Sequence, residues 1–124
     1  MNDRISRYSN TVSYVTKDGS LIRELQHPDR QAARWQSLAE AILNSGQITA
    51  LHVHAKTEEL YHITHGQGEI YLNDESFEVR AGDSVCISPG VSHCIKNTGT
   101  EDLRFLCCCT PPYSHADTQL LGKR

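Results

Sequence analysis

The chain has 124 residues, which is the size of a single domain and leaves no room for a second. Its 12 Lys and Arg residues and 15 Asp and Glu residues give a net charge of −3, which argues against binding to nucleic acid or to an anionic membrane. No apolar run reaches the roughly 20 residues of a membrane span, and the N-terminus lacks the apolar core of a signal peptide.

The chain begins with a polar stretch and a predicted hairpin. Residues 1–10 carry no hydrophobic periodicity, so we interpret them as a flexible N-terminal arm. Val12 to Thr16 and Leu21 to Leu25 are β-type runs, and the turn residues Lys17 to Ser20 separate them. The pattern therefore predicts an opening β-hairpin.

The next segment, residues 32–43, fits two kinds of secondary structure. Trp35, Leu38 and Ile42 lie on one face at helical spacing, and the turn residues that follow are typical of a helix end. Alternation with a period of two over Leu38 to Leu43 permits a strand instead. The segment by itself leaves both open, and we expect Trp35 to pack against an outer sheet or a partner chain.

From Ile48 to Cys109, short β-type runs alternate with turn residues at regular intervals. Many short strands at this spacing indicate an antiparallel sandwich or barrel, and the lack of interleaved helical segments argues against a parallel α/β sheet. The mostly polar residues 113–124 follow as a predicted C-terminal tail. The predicted strands are Ile48 to His54, Leu60 to Thr64, Glu69 to Leu72, Ser76 to Val79, Ser84 to Ile87, His93 to Asn97 and Leu103 to Cys109.

Four residues in this β region have the chemistry of a metal site. His52 and His54 are two apart in one strand, so both side chains point to the same face. Glu59 begins the next strand, and His93 opens a later one. Such a His pair alone is more often two hydrogen-bonded histidines. Three imidazoles and one carboxylate together, however, suit Fe(II), Mn(II), Ni(II), Cu(II) or Zn(II), with two positions left open in an octahedral site.

The spacing of these residues carries a resemblance to a known family. The first motif consists of Gly46, five residues, His52-X-His54, four residues, Glu59, six residues and Gly66. The second consists of Gly82, six residues, Pro89-Gly90, two residues, His93, three residues and Asn97. Both resemble the motifs of the cupin superfamily, with the one departure that Ser88 stands at the first proline position of the second motif.

The resemblance implies an all-β fold, a double-stranded β-helix or jelly-roll barrel of two antiparallel sheets with the metal in its mouth. It also implies that Ala39 to Leu43 is a strand. Residues 11–112 would form a small single-domain cupin of the metal-binding kind, preceded by the N-terminal arm or hairpin. Cupins of this type commonly form homodimers, so we expect a homodimer, often with N-terminal strands crossing onto the partner.

Strand alternation extends the site to further side chains. If Glu59 points inward, Tyr61 and Ile63 share its face, and we predict Tyr61 as a catalytic residue that exchanges a proton or a hydrogen bond with the substrate. The alternative is that Tyr61 only packs in the barrel mouth. His62 and His65 are expected at the surface or an interface.

The cysteines are predicted to be reduced. Five is an odd number and three are consecutive, which is incompatible with ordinary disulfides among neighbours, so we expect a reducing, cytoplasmic location. In the last predicted strand Cys107 and Cys109 share the inward face with Leu103 and Phe105, while Cys108 faces the other way. We expect the thiols to fill the core, and Cys109 is the candidate if one acts. Phe77 and Phe105 are expected in the core.

The resemblance favours a metal-dependent enzyme of the dioxygenase, isomerase or cyclase type. Its substrate would be a small organic molecule bound to the divalent ion, and no nucleic acid or membrane partner is expected. Because no inward Lys or Arg is predicted, phosphorylated and nucleotide sugars are disfavoured. The alternative is a non-catalytic, metal-loaded module that binds or senses a small ligand. An empty, storage-type barrel is disfavoured because four polar groups would then be buried without an ion.

Overall fold

The structure is a computed structural model and describes residues 3–122. Within this range the chain forms eleven strands and one 3₁₀ helix (Tyr8–Asn10). The all-β prediction is confirmed, and residues 37–43 form a strand rather than a helix. The strands are β1 (Ser13–Val15), β2 (Leu21–Gln26), β3 (Ser37–Leu43), β4 (Leu51–His54), β5 (Glu58–His65), β6 (Gln67–Leu72), β7 (Glu75–Arg80), β8 (Ser84–Ile87), β9 (His93–Asn97), β10 (Leu103–Thr110) and β11 (Thr118–Gly122).

The described strands form two antiparallel sheets. The first has six strands in the order β1-β2-β3-β10-β5-β8, and the second has five in the order β11-β4-β9-β6-β7. From β3 onward the chain crosses between the two sheets repeatedly, as it does from β4 to β5, from β5 to β6 and from β9 to β10. The fold is therefore the double-stranded β-helix that the resemblance implied.

The inner face of the six-stranded sheet changes from apolar to polar along the strands. Toward one end, a row of paired, buried side chains consists of Ile22, Ala41, Phe105 and Ile63. Two positions further along each strand, the row consists of Glu24, Ala39, Cys107 and Tyr61. Beyond these lie Ser37, Cys109 and Glu59. Apolar burial at one end thus stabilises the barrel, while polar groups are gathered at the other end.

The two motifs also supply backbone contacts that fix the barrel. A Cβ on Gly66 would lie 2.5 Å from the backbone oxygen of Asp102, so only glycine permits this close approach. The Asn97 side chain is buried and donates from Nδ2 to the backbone oxygens of Leu43 (3.0 Å) and Glu101 (2.8 Å). These motif residues therefore hold the end of the barrel that lies away from the histidines.

The turn before His93 forms despite the missing proline. The backbone N–H of Val91 donates to the Ser88 oxygen over 3.2 Å, and Gly90 has a φ of +83°. Pro89 and Gly90 occupy the two central positions, as in a type II turn. The Gly90 N–H donates to the His54 carbonyl over 2.8 Å, which ties the turn to β4.

Two aromatic residues lie elsewhere than predicted. Trp35 is 84% exposed in the loop before β3, so it does not pack on a sheet of its own chain. Phe77 is 46% exposed because β7 is an edge strand with a paired neighbour on one side only. The prediction that Phe77 belongs to the core was wrong, whereas Phe105 is buried as expected.

Both terminal segments contact the barrel within the described range. Near the N-terminus, the Ser6 hydroxyl donates to the Leu25 oxygen, and the Tyr8 ring lies 4.5 Å from the Arg23 guanidinium. The predicted tail contains β11, which pairs with β4 and which the sequence did not indicate. Residues 1–2 of the predicted arm and 123–124 of the tail lie outside the described residues, and the domain boundaries stay a prediction. Among residues 3–122, no helix is long and apolar enough to cross a membrane.

Candidate metal centre

The four predicted ligands come together at the polar end of the barrel. His52 and His54 lie on β4, and His93 on the neighbouring β9 pairs directly with His52. Glu59 reaches the group from β5 in the other sheet. One ligand atom from each residue lies within 4.8 Å of the others, and all four side chains are buried. Strand alternation and motif spacing were thus sufficient to predict the cluster.

Hydrogen bonds at the far side of each ring determine which nitrogen faces the cluster. His52 Nδ1 lies 2.8 Å from the Ala50 carbonyl oxygen, and His93 Nδ1 lies 3.0 Å from that of Val91. Because a carbonyl only accepts, both Nδ1 atoms carry hydrogen. In the neutral rings, Nε2 is then the unprotonated nitrogen.

His54 is held in the same way by a hydroxyl. Its Nδ1 lies 2.9 Å from Thr118 Oγ1, which itself donates to the Ser114 carbonyl over 2.8 Å. The single hydroxyl hydrogen is used on Ser114, so the imidazole must be the donor to Thr118. All three neutral rings therefore direct Nε2 lone pairs into the cluster.

These lone pairs meet the carboxylate of Glu59. Glu59 Oε1 lies 3.1 Å from His54 Nε2 and 3.4 Å from His93 Nε2. His93 Nε2 is buried and has no hydrogen-bond partner among residues 3–122, a costly state for a polar atom. A cation among the four acceptors satisfies all of them at once. The donor set of three imidazoles and one carboxylate therefore fits a first-row divalent ion and does not select one member of the series.

The electrostatics of the pocket keep the ligands in their binding forms. Without an ion, burial would raise the pKa of Glu59, but the hydrogen bonds that His54 and His93 donate when their Nε2 atoms carry hydrogen lower that pKa to about 2. Burial lowers the pKa of His52, and the neighbouring His93 acts in the same direction. An ionised carboxylate and a neutral imidazole are the states that bind metal.

The hydroxyl of Thr118 was not predicted as part of the site, and its removal gives a specific test. We expect Thr118→Val to weaken metal affinity about 10- to 100-fold, because the His54 ring loses the partner that orients it. Affinity is measured by competition with a chelator. The control is Thr49→Val, a buried threonine that accepts from the Ile95 N–H and touches no ligand. Equal losses in both variants would contradict an orienting role.

An inner cavity of about 40 Å³ adjoins three of the four ligands, His52, His54 and Glu59. No Lys or Arg lines it among the described residues, as the sequence predicted. Besides three of the four ligands, the lining consists of Tyr14, Thr16, Asp18, Ser20, Ile22, Glu24, Ser37, Ala39, Ala41, Tyr61, Phe105, Cys107, Cys109, Tyr113 and Thr118.

Tyr61 faces this cavity, as predicted from alternation along β5. Its ring packs on Phe105, with centroids 4.6 Å apart, and meets His93 edge-on at 6.1 Å. Burial, and to a lesser extent the Glu59 charge, raises the pKa of Tyr61 well above its usual 10. The phenol therefore keeps its proton. Its catalytic role stays a prediction.

The inward thiols also lie where the sequence predicted. Cys107 and Cys109 line the cavity, and Cys109 Sγ donates to Glu59 Oε2 over 3.3 Å. Burial raises the pKa of both, and the Glu59 charge acts in the same direction. They are therefore thiols rather than reactive thiolates. The Cys109 thiol thus binds Oε2 of Glu59, while Oε1 is directed at the histidines.

The other described histidines lie outside the cluster. His62 Nδ1 lies 2.7 Å from the Ser84 hydroxyl on the outer face, and His65 Nδ1 lies 2.8 Å from the Asp102 carbonyl. His27 Nε2 lies 2.8 Å from the Tyr113 carbonyl, and His115 Nδ1 contacts the Tyr113 hydroxyl at 3.0 Å.

The opening hairpin contributes residues to the site that the sequence did not single out. Tyr14, Asp18 and Glu24 all line the inner cavity. Alternation places Ile22 and Glu24 on one face of β2, but the hairpin alone does not show which face turns inward. Tyr113 in the predicted tail also lines the cavity, with its ring 5.9 Å from that of His54.

Comparisons with known proteins agree with this geometry. The family described as "Cupin domain" matches residues 39–109. An uncharacterized protein of Methanocaldococcus jannaschii is 48% identical over 116 residues, covering 94% of this chain and 93% of that protein. The oxalate-binding protein of Thermotoga maritima is 39% identical over 64 residues, covering 52% of this chain and 53% of that protein. A crystal structure from Klebsiella pneumoniae, an uncharacterized protein with a double-stranded β-helix domain, has a TM-score of 0.75 at 20% identity and covers 98% of each chain.

Proposed function

The chain belongs to the cupin domain family, and we propose that it binds a small organic molecule at a divalent ion held by His52, His54, Glu59 and His93. The observation that carries this proposal is the convergence of three imidazole Nε2 atoms on one buried carboxylate, where His93 Nε2 finds no hydrogen-bond partner in the part of the chain that the structure describes. A structural role is disfavoured because a cavity adjoins the cluster. A closed structural site would have no such opening.

When bound, the ion would act as a Lewis acid that polarises a chelating substrate. The residues of the chain hold the ion, exclude water and keep a proton near the substrate. His52, His54, Glu59 and His93 would hold the ion, and an octahedral ion would have two positions left for the two oxygens of a chelating molecule. Ala39, Ala41 and Phe105 provide the apolar wall that excludes water. Tyr61 holds a proton beside the ligands.

The size of the cavity supports a small ligand. A cavity volume of about 40 Å³ is space for roughly three water-sized groups beside the metal ligands. The Thermotoga maritima relative is named an oxalate-binding protein, and oxalate is a small acid that offers two oxygens. The relative therefore supports chelation through two oxygens.

We propose an enzyme of the dioxygenase, isomerase or cyclase type, in which Tyr61 delivers a proton or a hydrogen bond to the substrate. The second candidate is a metal-loaded module that binds its ligand without turnover. It is supported by the name of the Thermotoga maritima relative, which describes binding. It is also supported by the raised pKa of Tyr61, because a phenol that keeps its proton cannot act as a base.

The test begins with elemental analysis of untagged protein purified without chelator. We expect close to one divalent ion per chain. The loaded protein is then offered catechol and acetylacetone while O₂ uptake is followed, and in parallel the binding of lactate is measured by calorimetry. Turnover supports the enzyme, and lactate binding without turnover of any probe supports the binding module. Absence of metal even after anaerobic reconstitution would contradict both.

A further inference from the structure

The inner cavity presents carboxylate oxygens close to the metal ligands. Asp18 lies in the β1–β2 turn, and its Oδ1 accepts hydrogen bonds from the backbone N–H (2.9 Å) and the hydroxyl (2.7 Å) of Ser20. Its Oδ2 lies 3.7 Å from His52 Nε2, beyond hydrogen-bond distance. One oxygen is therefore anchored, and the other faces the site where a ligand would sit.

A second carboxylate, Glu24, lies further along the cavity. Its Oε1 accepts a hydrogen bond from the Tyr14 hydroxyl over 3.0 Å. Its Oε2 is buried and has no hydrogen-bond partner among the described residues. A buried acceptor in this state costs free energy, which a donor on a bound molecule would offset.

Nearby cationic side chains are directed elsewhere. Lys17 Nζ donates to the backbone oxygens of His115 (3.2 Å) and Thr118 (2.7 Å). The Arg23 guanidinium donates to the Thr11 backbone oxygen. Arg30 borders an outer cavity that shares Glu24 with the inner one, and no Lys or Arg among the described residues lines the inner one. An anion bound beside Asp18 would therefore meet a carboxylate without a cationic side chain of the inner cavity to balance it.

We propose that the natural ligand carries a hydrogen-bond donor, a hydroxyl or a protonated amine, beside its two chelating oxygens. Asp18 Oδ2 receives this donor, and Glu24 Oε2 receives a further one in longer ligands. Dicarboxylates are disfavoured, because a second carboxylate brings only acceptors and a negative charge next to Asp18. The inference rests on the proposed function. It narrows the ligand class to molecules with a hydrogen-bond donor, which oxalate, the ligand in the name of the Thermotoga maritima relative, does not have.

The experiment uses four acids with one chelating head. Lactate, glycerate, isoserine and malate share a 2-hydroxycarboxylate and carry at the third carbon a hydrogen, a hydroxyl, a protonated amine and a carboxylate. Calorimetry on the metal-loaded full chain gives their dissociation constants. We expect isoserine to bind about tenfold more tightly than lactate, as for one charge-assisted hydrogen bond, with glycerate between them. Malate binds no more tightly than lactate.

The Asp18→Asn variant assigns this preference to one side chain. It removes the charge but keeps an oxygen for Ser20, and we expect it to abolish the isoserine preference while lactate binding stays within about twofold. The charge-matched control is Asp74→Asn in the exposed β6–β7 turn, which keeps the preference. Asp18→Ser serves as a second variant if thermal melting shows that Asp18→Asn is unfolded, and it should likewise abolish the isoserine preference without affecting lactate binding.

Failure of the inference and failure of the proposed function give different results. Tight malate binding, or the same isoserine preference in Asp18→Asn and Asp74→Asn, would overturn the inference and leave the metal proposal standing. If none of the four acids binds the metal-loaded protein, the inference is overturned. If catechol and acetylacetone are not turned over either, the proposed function fails with it.

Discussion

Replacing His93 with Ala is expected to remove the tightly bound metal while the β-barrel remains folded. His93 is fully buried, its Nδ1 is fixed by the Val91 carbonyl, and its Nε2 has no hydrogen-bond partner among the described residues. Loss of one of four ligands should lower metal affinity more than loss of an orienting partner does, so we expect a decrease of more than about 100-fold. The fold should persist because the apolar rows around Phe105 lie at the other end of the barrel.

Elemental analysis after dialysis measures the metal, and far-ultraviolet circular dichroism measures the fold. The matched control is His65→Ala, a half-exposed histidine at the end of β5, which should keep its metal. Metal retention in His93→Ala would show that His93 is not a ligand. If His93→Ala unfolds, His93→Gln fills the space without supplying an imidazole, and unfolding of both variants would mean that the ion is structural.

The ligand set could be predicted because most steps of the prediction depend only on residues that are close in sequence. Alternation placed His52 and His54 on one face, and the same rule applied to β5 and β10 gave the inward direction of Tyr61 and Cys107. Only the pairing of the two sheets was non-local. The spacing of the motifs supplied it, because the resemblance implied a barrel of two antiparallel sheets with the metal in its mouth.

The rest of the site depends on pairings that no local pattern reveals. Thr118 lies 64 residues from the His54 that it orients, in a strand that exists because β4 offers it an open edge. Asp18 has the sequence of an ordinary turn residue, and only the packing of the hairpin against the barrel turns it toward His52. Trp35 is the opposite case. Its apolar side chain predicted burial, but its own chain leaves it exposed.

Acidification from pH 7 to pH 5 is expected to lower metal affinity by more than about tenfold, since protons compete for the imidazoles. Each imidazole that must lose a proton to bind the ion weakens binding about tenfold per pH unit below its pKa. The pKa of His52 is lowered by burial, so this ring stays neutral to a lower pH than an ordinary histidine. Glu59, with a pKa of about 2, stays ionised over the whole interval. The carboxylate is therefore not the group whose protonation releases the metal.

Acidification also lowers the stability of the fold, but metal release and unfolding are expected at different pH values. The lowered pKa of His52 means that the unfolded chain binds the extra proton first, so stability begins to fall as the pH drops below the usual histidine value of 6.5. The stabilisation from Glu59 is present above its usual pKa of 4.5 and is lost only as the pH falls from there toward 2. At pH 5 the metal should therefore leave a protein whose circular dichroism is unchanged. Glu59→Gln should bind more weakly at every pH yet keep the same slope, and a variant that lost its pH dependence would identify the carboxylate as the titrating ligand.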